Sequence, residues 1–185
     1  MTRAKRSVLA GVQPLSPRRK WRAITIATLL LVPGYWSLVT GLVAEGSHKE
    51  SAPFAAPYIA FGLVLLPFVF LVLAFLSEHP RASAATAWAL ILTILVGAPV
   101  SGFAGDAVTG FVAEVGAGGI VALRADVSHS WKARAIAILA ASAYVFILLR
   151  SASVIGLLLA PVLPFTSIGV ADHLSERRRE REARA

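Results

Sequence analysis

An all-α, polytopic integral membrane protein is the fold class that the sequence predicts, and three observations support it. Of the 185 residues, 57% are hydrophobic and only 15% are charged, and the mean hydropathy is +0.73. Soluble domains are closer to half apolar. Several apolar runs also approach the roughly 20 residues that a helix needs to cross a hydrocarbon core about 30 Å thick. A chain this short has too little interior to bury all of these runs in a soluble core.

The elements follow one another in a regular order. Residues 1–22 are polar and basic with no apolar period, so we predict a disordered cytoplasmic arm. Residues 23–172 form the predicted transmembrane helical domain, with about six helices. The predicted spans are 23–44, 57–76, 85–104, 109–123, 135–149 and 152–171. The charged residues 173–185 form a predicted solvated cytoplasmic tail that is able to continue the last helix.

The distribution of lysine and arginine discriminates between topologies. With six crossings, all 18 of these residues except Lys49 and Arg150 lie on one face. The positive-inside rule then places both termini in the cytoplasm. Because the basic residues lie at the ends of apolar runs, we interpret them as orientation signals and predict no binding of nucleic acid.

Four or five crossings with a re-entrant segment are the alternative. In the layout with four, residues 106–134 form an external re-entrant loop and 135–171 form one long broken span. That layout exports the basic residues of the 124–134 loop, so the charge bias favours six crossings. The weakness of six is length, because runs 109–123 and 135–149 are shorter than the roughly 17 residues expected at minimum. In either layout Pro161 and Pro164 remove helical hydrogen bonds and are expected to kink or break the last span.

Glu114 is an ionisable residue in the middle of the fourth run. Residues four apart share one face of a helix, and the face of Glu114 otherwise carries small residues. The preceding run has a matching row of small residues. Such rows let helices approach closely in a bilayer, so we predict a tight hairpin of the third and fourth spans with Glu114 facing the protein. The predicted packing residues are Gly97, Ser101, Gly105, Gly110 and Gly118.

The candidate polar site of the membrane domain consists of Glu114, Arg150 and Asp106. A charge near the middle of a bilayer costs at least about 2.5–3.5 kcal/mol, so Glu114 should be paired or neutral. Three interpretations remain open: an interhelical hydrogen bond, a carboxylate that exchanges protons or cations in a transport path, or a segment 106–123 that does not span the membrane. Asp106 and Arg150 form either an ion pair or two separate hydrated turn residues. The partners that the sequence offers to Glu114 are Arg150, Ser101, Thr109 and Tyr144.

Several chemistries have no support in the sequence. The absence of cysteine removes thiolate metal sites and thiol nucleophiles, and the four histidines are scattered, so we predict no metal and no cofactor. Neither a G-x-S-x-G elbow nor an H-E-x-x-H pair is present, so we predict that the protein is not an enzyme. A conceivable polar cluster on the cytoplasmic face is interpreted as solvated loop residues; its members are His129, His173, Asp126 and Asp172.

Three segments, GAGGIVALRAD, SWKARAIAI and APVLPFTSIGVADHLSERR, together resemble a group of uncharacterised multi-spanning membrane proteins of high-GC actinobacteria. The similarity covers about the last 80 residues of the chain. It implies a location in the plasma membrane of a bacterium and implies no activity.

The function that these features favour is that of a small multi-pass plasma-membrane protein, a non-enzymatic accessory or self-associating subunit. The alternative is a small proton- or cation-coupled transporter that uses an intramembrane carboxylate. The expected partners are the lipid bilayer, anionic headgroups at the basic termini, and a second copy or another membrane protein.

Overall fold

The computed structural model describes residues 15–46, 52–123 and 131–185, and this part of the chain forms seven α-helices. The prediction of an all-α fold is confirmed. In chain order the helices are α1 (Pro17–Gly46), α2 (Ala52–Leu76), α3 (Ala82–Ala104), α4 (Ala107–Ala122), α5 (Trp131–Arg150), α6 (Val154–Leu159) and α7 (Leu163–Arg184). Within the described ranges, four helices are long and apolar enough to cross a membrane, namely α1, α2, α3 and α5, and α4 is a shorter apolar helix.

The helices extend beyond the predicted runs. Helix α1 begins at Pro17, so residues 17–22 of the predicted arm are helical; a proline in the first turn costs no hydrogen bond. Helix α5 has 20 residues instead of the short run 135–149, which removes the objection of length for that segment. Helix α7 continues through the charged tail to Arg184. Residues 1–14 of the predicted arm, the loop with Lys49 and most of the loop after α4 lie outside the described residues.

Helices α1 and α2 are antiparallel. Gly62 of α2 lies against Gly34 and Leu38 of α1, which places the second half of α1 beside the first half of α2. At the other end of the chain, Gly156 of α6 packs on Leu148 of α5. Helices α6 and α7 together cover the last predicted span, residues 152–171.

Helix α4 lies at the centre of the bundle, and most of its 16 residues are buried. Its glycines face different neighbours: Gly116 faces Ile138 of α5, Gly118 faces Phe70 of α2, and Gly119 faces Phe165 and Ile168 of α7. A Cβ atom at Gly116 or Gly119 would come within 3 Å of these side chains, and one at Gly118 would overlap the Phe70 ring. The GAGG segment is thus a packing element that allows three helices to approach α4.

The last predicted span is broken between α6 and α7, as expected from the two prolines. Helix α6 ends at Leu159, and three residues that include Pro161 precede α7. Pro164 then lies in the first turn of α7, where a missing N–H leaves no helical bond unmade. The Tyr35 hydroxyl of α1 donates a 2.9 Å hydrogen bond to the carbonyl oxygen of Leu157, close to the break.

Candidate functional site

Glu114 lies where α3 and α4 pack most tightly. A Cβ atom added at Gly97 of α3 would lie 2.8 Å from Cβ of Glu114 and 3.3 Å from its carboxyl carbon. Because real Cβ atoms essentially never come this close, only glycine at position 97 leaves room for the Glu114 side chain. One turn away, a Cβ atom at Gly110 would lie 2.5 Å from Cβ of Ser101. Helices α3 and α4 therefore form a close antiparallel hairpin with Glu114 turned towards α3.

Two of the predicted packing residues have other places. Gly105 does not take part in the helix contact; it ends α3 in the left-handed conformation, with φ of 68°, and its N–H bonds the Ser101 carbonyl oxygen. Only glycine adopts this conformation without strain, which explains the residue at this position. Gly118 packs against Phe70 of α2 rather than against α3. The row of small residues on α4 thus serves two neighbouring helices, because an ideal helix rotates away from a strict four-residue repeat.

An open groove of about 310 Å³ lies over α4 between α1 and α3, and Glu114 is one of its walls. The groove runs from Ala107 and Val108 at the start of α4 to Glu114 at its middle. Apart from Glu114, Ser101 and the buried side chain of Tyr35, its lining is apolar. Tyr35 and Phe111 pack beside it with ring centroids 5.2 Å apart. The groove therefore follows the first half of α4 as far as a carboxyl group.

Within the described residues, the Glu114 carboxyl group has no hydrogen bond and no ion pair. In the described part of the chain, none of the four partners that the sequence offers is bonded to it. The Ser101 hydroxyl donates to the Asp106 carbonyl oxygen, Arg150 reaches the Ala104 carbonyl oxygen, the Thr109 hydroxyl is buried without a partner, and Tyr144 is exposed. Since Glu114 is only partly buried, its polar atoms are accessible from the groove.

Asp106 and Arg150 are close in the fold but form no ion pair with each other, both being in the described part of the chain. Asp106 is the N-cap of α4, and its carboxylate accepts a 2.6 Å hydrogen bond from the Thr109 N–H. The Arg150 guanidinium lies 5.1 Å from the ring centre of Phe146 and 3.5 Å from the Ala104 carbonyl oxygen. Asp106 therefore has a helix-capping role, which the sequence interpretation of a turn residue does not include.

A buried ionic cluster, which the sequence does not predict, lies at the opposite end of α4. Arg134 of α5 and Asp172 of α7 form a bidentate pair, with Nε–Oδ1 and Nη2–Oδ2 distances of 2.6 and 2.5 Å, and both side chains are 3% exposed. Arg134 also donates to the carbonyl oxygens of Ile120 and Leu123 at the end of α4. A cation at this position satisfies carbonyl groups that the helix leaves unpaired.

Lys20 of α1 completes this cluster. Its ammonium group lies 2.6 Å from Oε1 of Glu176 and 3.6 Å from Oδ2 of Asp172. Two cations and two carboxylates thus balance one another and join α1, α4, α5 and α7. The cluster corrects the interpretation of Asp172 as a solvated loop residue; Asp126 and His129, its suggested neighbours, lie outside the described residues.

The sequence contains one signal that points to this cluster, although a weak one. Asp172 and Arg134 each lie at the boundary between an apolar run and a charged segment. From the sequence, such boundary charges are expected to be hydrated. Only the packing of α7 across α5 and α1 shows that they are buried together.

Among the described residues, no group of three or more His, Asp or Glu side chains is arranged to hold a metal ion. No protein-family model, no curated protein and no solved structure matches the chain. The features that bear on function are therefore the groove, the unpaired carboxyl group and the ionic cluster.

Proposed function

We propose that the protein is a non-enzymatic, self-associating subunit of the bacterial plasma membrane, and that the occupant of the Glu114 groove is a second copy of the chain. The observation that carries the proposal is the carboxyl group of Glu114, which faces an open groove without a partner among the described residues. An unpaired polar group in a lipid environment gains from any hydrogen-bonding partner that another helix supplies.

The choice of a second copy rests on the surface beside the groove. Helix α3 forms one wall, and it is the least covered of the long apolar helices, with 17% of its apolar window buried. Large apolar side chains project from it, including Trp88, Ile94 and Phe103. Two-fold pairing across α3 buries the groove and this exposed face of both copies. In such an isologous interface, each copy contributes the same surface.

Six crossings with both termini in the cytoplasm form the second part of the proposal. It is supported by the antiparallel packing of α1 on α2 and of α3 on α4, and by the distribution of Lys and Arg. Helix α4, at 16 residues, is only about 24 Å long. Because protein surrounds it on most sides, its ends do not need to reach both lipid interfaces.

Cysteine cross-linking tests the proposed contact, since the chain has no cysteine of its own. Ile94 on the rim of the groove and Val64 on α2 are a matched pair of apolar residues, 68% and 70% exposed. We expect purified Ile94→Cys protein in bilayers to give a disulfide-linked dimer on mild oxidation, and Val64→Cys protein to stay monomeric. Equal cross-linking of the two variants, or none, contradicts the proposal; a link to a different co-purified subunit identifies an accessory role instead.

Substitution of Glu114 tests the part of the carboxyl group. Glu114→Gln keeps a hydrogen-bonding side chain, so the dimer should persist. Glu114→Leu removes it, and we expect dimerisation to weaken by roughly 3- to 10-fold, as for about 1 kcal/mol of interhelical hydrogen bonding. Quantitative cross-linking at position 94 over a range of protein-to-lipid ratios measures the difference. Identical dimerisation of all three proteins excludes a role for Glu114 in the interface.

A proton- or cation-coupled transporter is the second candidate function, and one observation favours it. The groove leads from the start of α4 to the carboxyl group at the middle of this helix. A transport path that begins on one side of a membrane and ends at an intramembrane acid has the same arrangement. Here too Glu114→Gln should leave the fold and the dimer unchanged, but it should also abolish coupled flux. Proton flux into proteoliposomes under an imposed potential, measured for the wild-type protein and the Glu114→Gln variant, separates the two functions.

A further inference from the structure

A second, larger groove of about 1020 Å³ lies at the end of the bundle where α1 begins. The first two turns of α1 form one wall, and the end of α2 with the turn into α3 forms the other. It is separate from the Glu114 groove, with which it shares no lining residue. In the proposed topology this end of the bundle faces the cytoplasm.

The charge of this groove is strongly positive. Arg18, Arg19 and Arg22 all line it, against a single carboxylate, that of Glu78. Arg19 is paired with Glu78 at 2.5 Å. Arg18 and Arg22 lie one helical turn apart on the same face, are exposed, and have no hydrogen bond or ion pair among the described residues. Two adjacent guanidinium groups are therefore available to an anion.

The opposite wall carries apolar side chains beside Glu78 and His79. Phe75 of α2 lines the groove and is 75% exposed, and Leu76 and Ala82 lie beside it. A ligand in this groove thus meets cations on one side and an exposed aromatic ring on the other. This is the pattern of charge and apolar surface that a lipid presents where its headgroup joins its acyl chains.

We propose that this groove is a binding site for one anionic phospholipid, with the phosphate held by Arg18 and Arg22 and an acyl chain lying along Phe75. Guanidinium groups suit the site because they offer planar, paired donors to phosphate oxygens. A soluble phosphate ester satisfies the arginines but leaves Phe75 uncovered, so the apolar wall favours a lipid over a free anion. The inference rests on the membrane-embedded arrangement proposed above but not on dimerisation or on Glu114.

Native mass spectrometry of the full-length protein in detergent tests this site, with phosphatidylglycerol titrated against phosphatidylcholine. We expect wild-type protein to retain one phosphatidylglycerol molecule in preference to phosphatidylcholine. The Arg18→Gln/Arg22→Gln variant should bind it roughly 10- to 30-fold more weakly, since each basic residue at a membrane surface contributes about 1 kcal/mol. The substituted side chains are exposed, so the fold should not change.

A matched control uses the tail of α7. Arg177 and Arg181 are also exposed and one turn apart, and the Arg177→Gln/Arg181→Gln variant loses the same charge on the same face of the bundle. Its affinity for phosphatidylglycerol should be within about 3-fold of that of the wild type, because surface charges outside a defined binding site attract headgroups only weakly and non-specifically. Equal loss in the two double variants shows non-specific charge attraction and overturns the proposal.

Two further arms identify the ligand. Glycerol phosphate at millimolar concentration should not displace the lipid; if it does, the site recognises a soluble phosphate ester and the acyl-chain contact is wrong. Phe75→Ser should weaken lipid binding and leave any glycerol phosphate binding unchanged. These measurements are made in detergent on protein that carries no introduced cysteine. The result for lipid binding and the result for dimerisation are therefore independent of each other.

Discussion

Arg134 of α5 and Asp172 of α7 form a buried, bidentate ion pair beside the last carbonyl groups of α4. The pair joins helices through residues that are 38 positions apart in sequence. Removal of one partner from such a pair leaves the other charge buried and unpaired. The resulting loss of stability is larger than the net stabilisation that the intact pair provides.

We therefore expect Asp172→Asn to lower the free energy of unfolding by roughly 3–5 kcal/mol. Thermal or denaturant unfolding of the purified protein in detergent measures the change. The double variant Arg134→Met/Asp172→Leu, which replaces the whole pair with apolar side chains, should be less destabilised than either single variant. The control is Arg178→Gln, which breaks the exposed Arg178–Glu182 pair and should have an effect within about 1 kcal/mol. Equal effects of Asp172→Asn and Arg178→Gln would falsify the importance of the buried pair.

Gly118 offers a test of the close packing around α4. Gly118→Ala places a methyl group into the Phe70 ring, so the ring or α2 must move. We expect a loss of roughly 1–3 kcal/mol of stability, as for other overpacked interiors. Gly102→Ala in α3 is the matched control, because a Cβ atom there meets nothing within 4 Å. It should be neutral, or stabilising by up to about 1 kcal/mol through the helix propensity of alanine. A Gly118→Ala protein as stable as wild type would contradict the central position of α4.

The hydroxyl group of Tyr35 links α1 to α6 through a hydrogen bond. Tyr35→Phe keeps the ring contact with Phe111 and removes only the hydrogen bond to the Leu157 carbonyl oxygen. A loss of about 0.5–1.5 kcal/mol is expected from the missing bond. Tyr144→Phe, at an exposed residue without a side-chain partner in the described part of the chain, should leave the unfolding transition unchanged. If the two variants behave alike, the hydroxyl of Tyr35 does not stabilise the break between α6 and α7.

Asp106 and Arg150 are separable in function. Asp106→Ala removes the cap of α4 and should cost about 1 kcal/mol of stability. Arg150→Gln should have little effect, since it loses only a long contact with a carbonyl oxygen and a ring contact at the surface. The two effects should add in the double variant. A coupling energy above about 0.5 kcal/mol in a double-mutant cycle would show an interaction that the structure does not contain.

The sequence predicts much of this fold because its strongest signals are local. Apolar runs indicate where the helices lie, and the two prolines indicate the break between α6 and α7. Both signals are local, because hydropathy and the missing proline N–H act on the helix that contains them. The contact of Gly97 with Glu114 also follows from a local four-residue spacing on two successive helices.

Other features depend on how distant segments meet, and no local pattern encodes them. Asp172 has the same sequence surroundings whether it is hydrated or paired with Arg134, so its burial appears only when α5 and α7 are in place. Likewise, the glycine row of α4 does not show that Gly118 faces α2. The start of α1 at Pro17 is missed for another reason: basic residues that indicate a polar arm are also good helix formers.

The central position of α4 has a consequence for the order in which the protein is made. Its glycine-rich surface is covered by α2 and α3, which precede it, and by α5 and α7, which follow it. A nascent chain that has just completed α4 therefore still lacks the two helices that cover Gly116 and Gly119. Assembly of the bundle must wait for synthesis of the last third of the chain. A deletion in that third therefore exposes α4, although the sequence of α4 is unchanged.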